Sequence, residues 1–296
     1  AATTSIGTIS YQDTNGFSVG TVGNQSVSNA NFAATTGVTT PGNLTFTAGG
    51  AVTQTGNIAS TGLELLGTGS YTFANGTNAI STLAVNAGAV SIRDDGGFNV
   101  GTVNSTVGIN STGTVTLTSA GTLGINDNVT AASHITQSGG GIVTVGGSGT
   151  RVLSATNGNI SFANPIASSL PLTLNAGAGG TNGLITISNG INANNNALIL
   201  NGTDWDFTAS AAGAINAGTG TVTISRSNNN AVINLVTSGS GLGTDDLARI
   251  TTANTGTLFI GDATKSNTVN VAGNFDIAAS TPNAEIRAAS LTQASG

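Results

Sequence analysis

The chain has 296 residues, of which only 6% are charged, with six basic against twelve acidic side chains, one His, one Trp, 44 Gly and no Cys or Met. Without cysteine there is no disulfide framework, no thiolate nucleophile and no Cys-based zinc or iron–sulfur site, and a net charge of −6 leaves no electrostatic footprint for nucleic acid. No apolar run approaches the ~20 residues that span a bilayer, yet a 38% hydrophobic content spread in short bursts argues against disorder.

From the N-terminus, Ala1 opens on neither a basic n-region nor an apolar h-region, so no secretion signal starts there. The dominant unit along the chain is a burst of a few residues alternating aliphatic with Thr, Asn or Ser and closed by Gly or Asn. It appears as Leu44-Thr45-Phe46-Thr47, Val115-Thr116-Leu117-Thr118, Ile142-Val143-Thr144-Val145, Leu172-Thr173-Leu174, Leu184-Ile185-Thr186-Ile187, Leu198-Ile199-Leu200, Val222-Thr223-Ile224, Leu258-Phe259-Ile260 and Val269-Asn270-Val271. Alternation with period two puts one set of side chains on each face of a strand, and the intervening Asn-Gly, Gly-Gly and Thr-Gly pairs are turn signals. The one helical signal is Thr244-Asp245-Asp246-Leu247-Ala248-Arg249-Ile250, where Thr244 is expected to cap and the two aspartates to complement the positive end of a short helical turn on a loop at 244–250.

The chain also repeats. Ser10–Val22 and Ser91–Val103 align without a gap, 81 positions apart, sharing Asp13/Asp94, Gly16/Gly97, Phe17/Phe98 and the Val-Gly-Thr-Val run. Phe17 and Phe98 are expected to point inward. Some two dozen short strands with no closing signal do not suit a sandwich or barrel, and no propeller blade signature occurs. The reading is all-β: a parallel β-helix with about three short strands per coil, aliphatic rows inside and Thr, Ser and Asn ladders outside. Residues 1–296 are read as one continuous shaft, and because both ends stop in mid-pattern, as part of a longer repeat protein.

Three blocks resemble the repeats of filamentous-haemagglutinin-like bacterial exoproteins. They are Leu63-Glu64-Leu65-Leu66-Gly67-Thr68-Gly69-Ser70-Tyr71-Thr72-Phe73 followed by Ile80-Ser81-Thr82-Leu83-Ala84 and the Phe98…Val103 stretch, then Val232-Ile233-Asn234-Leu235 with Leu242…Thr251 and Gly256-Thr257-Leu258-Phe259-Ile260-Gly261-Asp262, and the strand-ending tags in Ala51-Val52-Thr53-Gln54-Thr55 and Leu291-Thr292-Gln293. The resemblance implies a right-handed parallel β-helix shaft, secreted and cell-surface associated, exported from Gram-negative bacteria through a two-partner secretion pore. It also implies adhesion, cell aggregation or a place in a biofilm matrix, with self-association of like rods and a host or matrix glycan or protein as partner. The Asn-Pro-containing motifs of that family's secretion domain are missing, so the resemblance is to the shaft.

Candidate chemistry is sparse. His134 has no carboxylate in its neighbouring sequence and reads as an outward strand residue. The carboxylate pairs are Asp94/Asp95, Asp204/Asp206 and Asp245/Asp246; strand alternation places Asp204 and Asp206 on one face, the best candidates for a loose Ca²⁺ site or for glycosidic chemistry with Arg226. Trp205, between them, is the candidate carbohydrate contact. Eight asparagines (24, 43, 75, 104, 110, 128, 159 and 201) sit in Asn-X-Ser/Thr, a frequency this composition produces by chance. Gly139-Gly140-Gly141 matches no phosphate loop. No cofactor and no catalytic set is expected, and the reading is a structural, adhesive fibre rather than an enzyme. The alternatives are a carbohydrate-active β-helix enzyme, a polysaccharide lyase or hydrolase, and an ice-binding solenoid that would need Thr-X-Thr in register on every coil.

Overall fold

The computed structural model describes residues 2–3, 7–27, 30–180, 183–228, 231–237, 241–253, 255–265, 267–272 and 281–293. Ala1 and residues 294–296, the ends on which the reading of an interrupted pattern rests, lie outside them. The described chain is all-β with long parallel ladders, consistent with a β-solenoid; antiparallel pairing is confined, among the described residues, to three short strand pairs. No helix among them is long and apolar enough to cross a membrane. The residues fall into two compact units, Ala1–Asp127 with Gly139–Gly141, and Asn128–Ser138 with Ile142–Gly296.

In the first unit, successive strands join three parallel ladders in rotation. The first ladder holds Val38–Thr39, the starts of Ile58–Leu66 and Ala79–Ala87, then Phe98–Val100 and Leu123–Ile125. The second runs from Ile9–Asp13 through Asn43–Ala48 and the ends of the two nine-residue strands to Ile109–Ser111. The third stacks Ser18–Val19, Val52–Gln54, Tyr71–Phe73, Val90–Arg93 and Val115–Thr118. Register follows the alternation: Tyr11, Phe46, Leu65, Val85 and Ile109 form one column, and Val52, Tyr71, Val90 and Val115 another. From Phe46 and Val52 onward these residues are at most 2% exposed, so each strand buries its aliphatic face on the strand before it. The Tyr71 hydroxyl, carried into this core, donates to the backbone oxygens of Phe46 and Leu66, and burial pushes its pKa up to about 12.

The 81-residue repeat does not return to the same ladder. Ile9–Asp13 and Ser18–Val19 lie in the second and third ladders, while Val90–Arg93 and Phe98–Val100 lie in the third and first. The spacing is three passes and one further strand, so the copied sequence is reused on the next face. Phe98 is 2% exposed; Phe17 is half-buried and packs edge-on against Tyr11 and Phe46, with ring centroids 4.8 and 5.2 Å away.

The second unit repeats the scheme. One ladder takes Val143–Val145, Ile166–Ser168, Ile191–Asn192, Ile215–Asn216 and Ile250–Thr251. A second takes Val129–Ala131, Arg151–Ala155, Leu172–Ala176, Leu198–Gly202, Thr221–Arg226, Thr257–Gly261 and Ala284–Arg287. A third takes Ile135–Ser138, Ile160–Phe162, Leu184–Ile187 and Asp204–Asp206. Val232–Val236, Leu242–Gly243, Thr268–Val271 and Ser290–Gln293 form a separate parallel set.

Between two of these strands sits the helix Thr244–Leu247. Its N-cap is Gly243 rather than Thr244. Glycine has no side chain with which to cap, and Asp246 instead reaches back to accept from the Gly243 N–H at 3.1 Å, while the Thr244 hydroxyl donates to Thr237 O at 3.2 Å.

Candidate functional site

The residues singled out by the sequence converge in part, in the second unit. Strand Asp204–Asp206 continues the inward column Ile135, Ile160, Ile185 with Trp205. Trp205 is 3% exposed and its indole N–H donates to Leu200 O at 3.2 Å. Both ring faces are therefore given over to the core, and the expected sugar contact at Trp205 is corrected: no indole face is left for a sugar to stack on.

Asp204 and Asp206 take the outward positions on either side. Asp204 lines a cavity of about 450 Å³ together with Asn159, Thr203, Arg226 and Asn234. Its Oδ1 accepts from Gly241 N at 2.8 Å and from Trp205 N at 3.0 Å. Arg226, at the end of Thr221–Arg226, donates through Nη1 to Thr203 O, and its Nε is buried without a hydrogen-bond partner. Burial holds the guanidinium below its ordinary range, and the nearby Asp204 charge works against that shift. Behind it Lys265 donates from Nζ to Arg226 O at 2.7 Å and to Ser225 Oγ at 3.1 Å, with Asp262 at 3.7 Å; burial lowers this ammonium too, against the pull of Asp262. The cavity thus presents one carboxylate, one guanidinium and two carboxamides, a set able to bind a polar ligand.

Asp206, on the same outward face, serves a local task, accepting from Thr208 N at 3.1 Å and Thr208 Oγ1 at 2.7 Å. Paired glycosidic chemistry needs two carboxyl groups across one bond, and Asp204 alone lines the cavity. Among the described residues no group of three or more His, Cys, Asp or Glu side chains is placed to hold a metal ion.

The remaining candidates are spent on structure. Exposed His134 accepts at Nδ1 from Asn159 N at 3.0 Å, tying one pass to the next. The other aspartate pairs split: Asp94 and Asp246 are 1% and 5% exposed, whereas Asp95 pairs with Arg93 at 2.8 Å and Asp245 is exposed. All eight sequon asparagines use their side chains in hydrogen bonds. Sequence reasoning passed over Glu64, which is 5% exposed, because its cover is contributed by residues some forty positions later.

The outward faces carry regular polar columns. Ser18, Thr53, Thr72, Ser91 and Thr116 stand in register in the first unit, and Thr136, Ser161 and Thr186 in the second. The column two residues upstream of Thr53–Thr116 reads Ala51, Ser70, Ala89, Thr114. Along this ladder Thr-X-Thr is completed at Thr53/Thr55 and at Thr114/Thr116/Thr118 but not on the Thr72 and Ser91 passes between them, short of the array that ice recognition by threonines would require. Compared with protein-family models, with curated proteins and with solved structures, the chain gives no match.

Proposed function

We propose that this chain is a shaft segment of a secreted, cell-surface fibre protein similar to the filamentous haemagglutinins. In this reading it is a right-handed parallel β-helix that serves in adhesion, cell aggregation or biofilm matrix through stiffness and surface display rather than turnover. The observation that carries the reading is the register itself: inward aliphatic columns and outward Ser, Thr and Asn columns persist over successive passes in each unit. Such a stack spends its residues on rigidity and on an uncharged surface, where like shafts meet with little repulsion. Export through a two-partner secretion pore belongs to the same proposal. The test is electron microscopy of the parent protein together with an aggregation assay of producing cells. Elongated particles, and loss of aggregation when residues 1–296 are deleted, support the reading; compact particles and undiminished aggregation overturn it.

The cavity holding Asp204 and Arg226 favours one second reading, a carbohydrate-active site on the same scaffold. It requires cleavage of a uronic-acid or neutral polysaccharide that disappears in Asp204→Asn. A panel of such polymers left intact by the wild-type protein removes it.

A further inference from the structure

In the first unit the hairpin Thr102–Val103/Thr106–Val107 leaves the corner between Phe98–Val100 and Ile109–Ser111 and lies on the outward face of the second ladder. The Gly108 N–H donates to Gly101 O at 3.0 Å and closes its base. Its turn residue Asn104 has φ 52°, a left-handed conformation that asparagine tolerates. The face beneath is cut to receive it. Ala84 is 0% and Val103 3% exposed, and a Cβ at Gly62 would stand 2.8 Å from Val103 Cγ1.

At the centre of this contact is Glu64. Its Oε1 accepts from Thr106 Oγ1 at 2.6 Å, and its Oε2 from Asn104 Nδ2 at 2.7 Å and Thr45 Oγ1 at 2.8 Å. Asn43 Nδ2 donates to Asn104 Oδ1 at 2.8 Å, completing the clasp. The groups facing Glu64 are Asn43 and Thr45 from one neighbouring strand, Ala84 from the other and Asn104 and Thr106 from the hairpin; none is charged. The hairpin's tie to an ionisable group elsewhere is Thr102 Oγ1 to Asp127 at 3.0 Å, on its exposed side.

A carboxylate buried without a cation is stable only while its oxygens are filled by donors. Here two of the three donors belong to an element that can lift away whole. We propose that Glu64 is an acid-released latch: ionised, it clamps the Thr102–Val107 hairpin onto the ladder, and protonated, it lets the hairpin swing out, baring Gly62, Ala84 and the apolar side of Val103. Burial by itself would raise the carboxyl of Glu64, but the hydrogen bonds from Thr106, Asn104 and Thr45 outweigh it and hold the group below the ordinary glutamate range. A closed-state value below the open-state value means that clamping is fully present above the open-state value and is lost as pH falls through the closed-state one.

The test is amide hydrogen exchange of the full chain, corrected for the intrinsic pH dependence of exchange, at neutral pH and at about pH 3. In the wild type, protection of the Thr102–Val107 amides should fall by about tenfold or more in acid while Leu63–Leu66 and Val85 stay protected. Glu64→Gln should lose hairpin protection already at neutral pH and show no further acid response. If that variant loses its strand signal in far-UV circular dichroism, Thr106→Val, which alters the hairpin alone, should still weaken neutral-pH protection locally. Hairpin protection unchanged in acid, an acid response retained in folded Glu64→Gln, or simultaneous loss of protection at Leu63–Leu66 would each overturn the latch.

Discussion

Asn78, Asp94 and Asp246 do the same work in different turns of the chain. Each is at most 5% exposed, and each accepts from the backbone N–H of a residue at another corner: Ile58 at 2.8 Å, Ile80 at 2.7 Å and Phe207 at 2.8 Å. A corner interrupts the ladder and orphans these donors, so a buried acceptor is required there. Burial raises the carboxyls of Asp94 and Asp246, partly offset by the N–H groups they accept, and for Asp246 the charges of Asp206 and Asp204 raise it further. A carboxyl with a raised folded-state pKa contributes stability that is fully present below its unfolded value and lost as pH rises through the folded one. In denaturant titrations, Asp246→Asn should therefore gain stability relative to the wild type as pH rises from about 4 to 7. Trp205→Ala should cost about 3–5 kcal/mol in the same measurement, since it empties a core position. The sequence already held the clue to Trp205: if Asp204 and Asp206 share the outward face, the residue between them points inward. The corner role of Asp246 was not legible, because its partner Phe207 lies 39 residues away.

Among the elements, strands were readable and their coverings were not. Leu44-Thr45-Phe46-Thr47 announces both its strand and its inward face, and the structure sets Leu44 and Phe46 at 0% and 2% exposure. Leu63-Glu64-Leu65 announces an outward glutamate just as clearly, yet a hairpin encoded at 102–107 buries it. Alternation reports which side of a strand a residue takes, not what later chain lies over that side. The notch under the hairpin gives this a measurable form. In Gly62→Ala the new Cβ meets Asn43 Oδ1 at 2.5 Å and Val103 Cγ1 at 2.8 Å. Overpacking of this kind should cost about 1–3 kcal/mol. Hydrogen exchange should locate the loss at Thr102–Val107 and leave Tyr71–Phe73 unchanged.

Across the molecule, exposed ion pairs bear little of the stability. Three ion pairs, Arg93 with Asp95, Lys265 with Asp262 and Arg287 with Glu285, retain solvent access. Such pairs contribute little and are screened by salt. Raising NaCl to about 1 M should therefore leave the thermal midpoint essentially unmoved, as differential scanning calorimetry can check. Bringing the pH toward the sequence pI of 4.3 should promote association in light scattering, because the charge of −6 is the main source of repulsion.

The interval between stacked residues of the second ladder is uneven within each unit. It is 19 from Leu44 to Leu63 and 20 from Leu63 to Leu83, but 35 from Ile9 to Leu44. Likewise it is 21 from Leu153 to Leu174 and 36 from Ile224 to Ile260. The surplus is looped out between strands while the interior stays in step. Foreign peptides spliced between Val22 and Gly23, both exposed and within the long interval from Ile9 to Leu44, would therefore ride outside the lattice, giving selection, or an engineer, a place to vary recognition without renegotiating the framework.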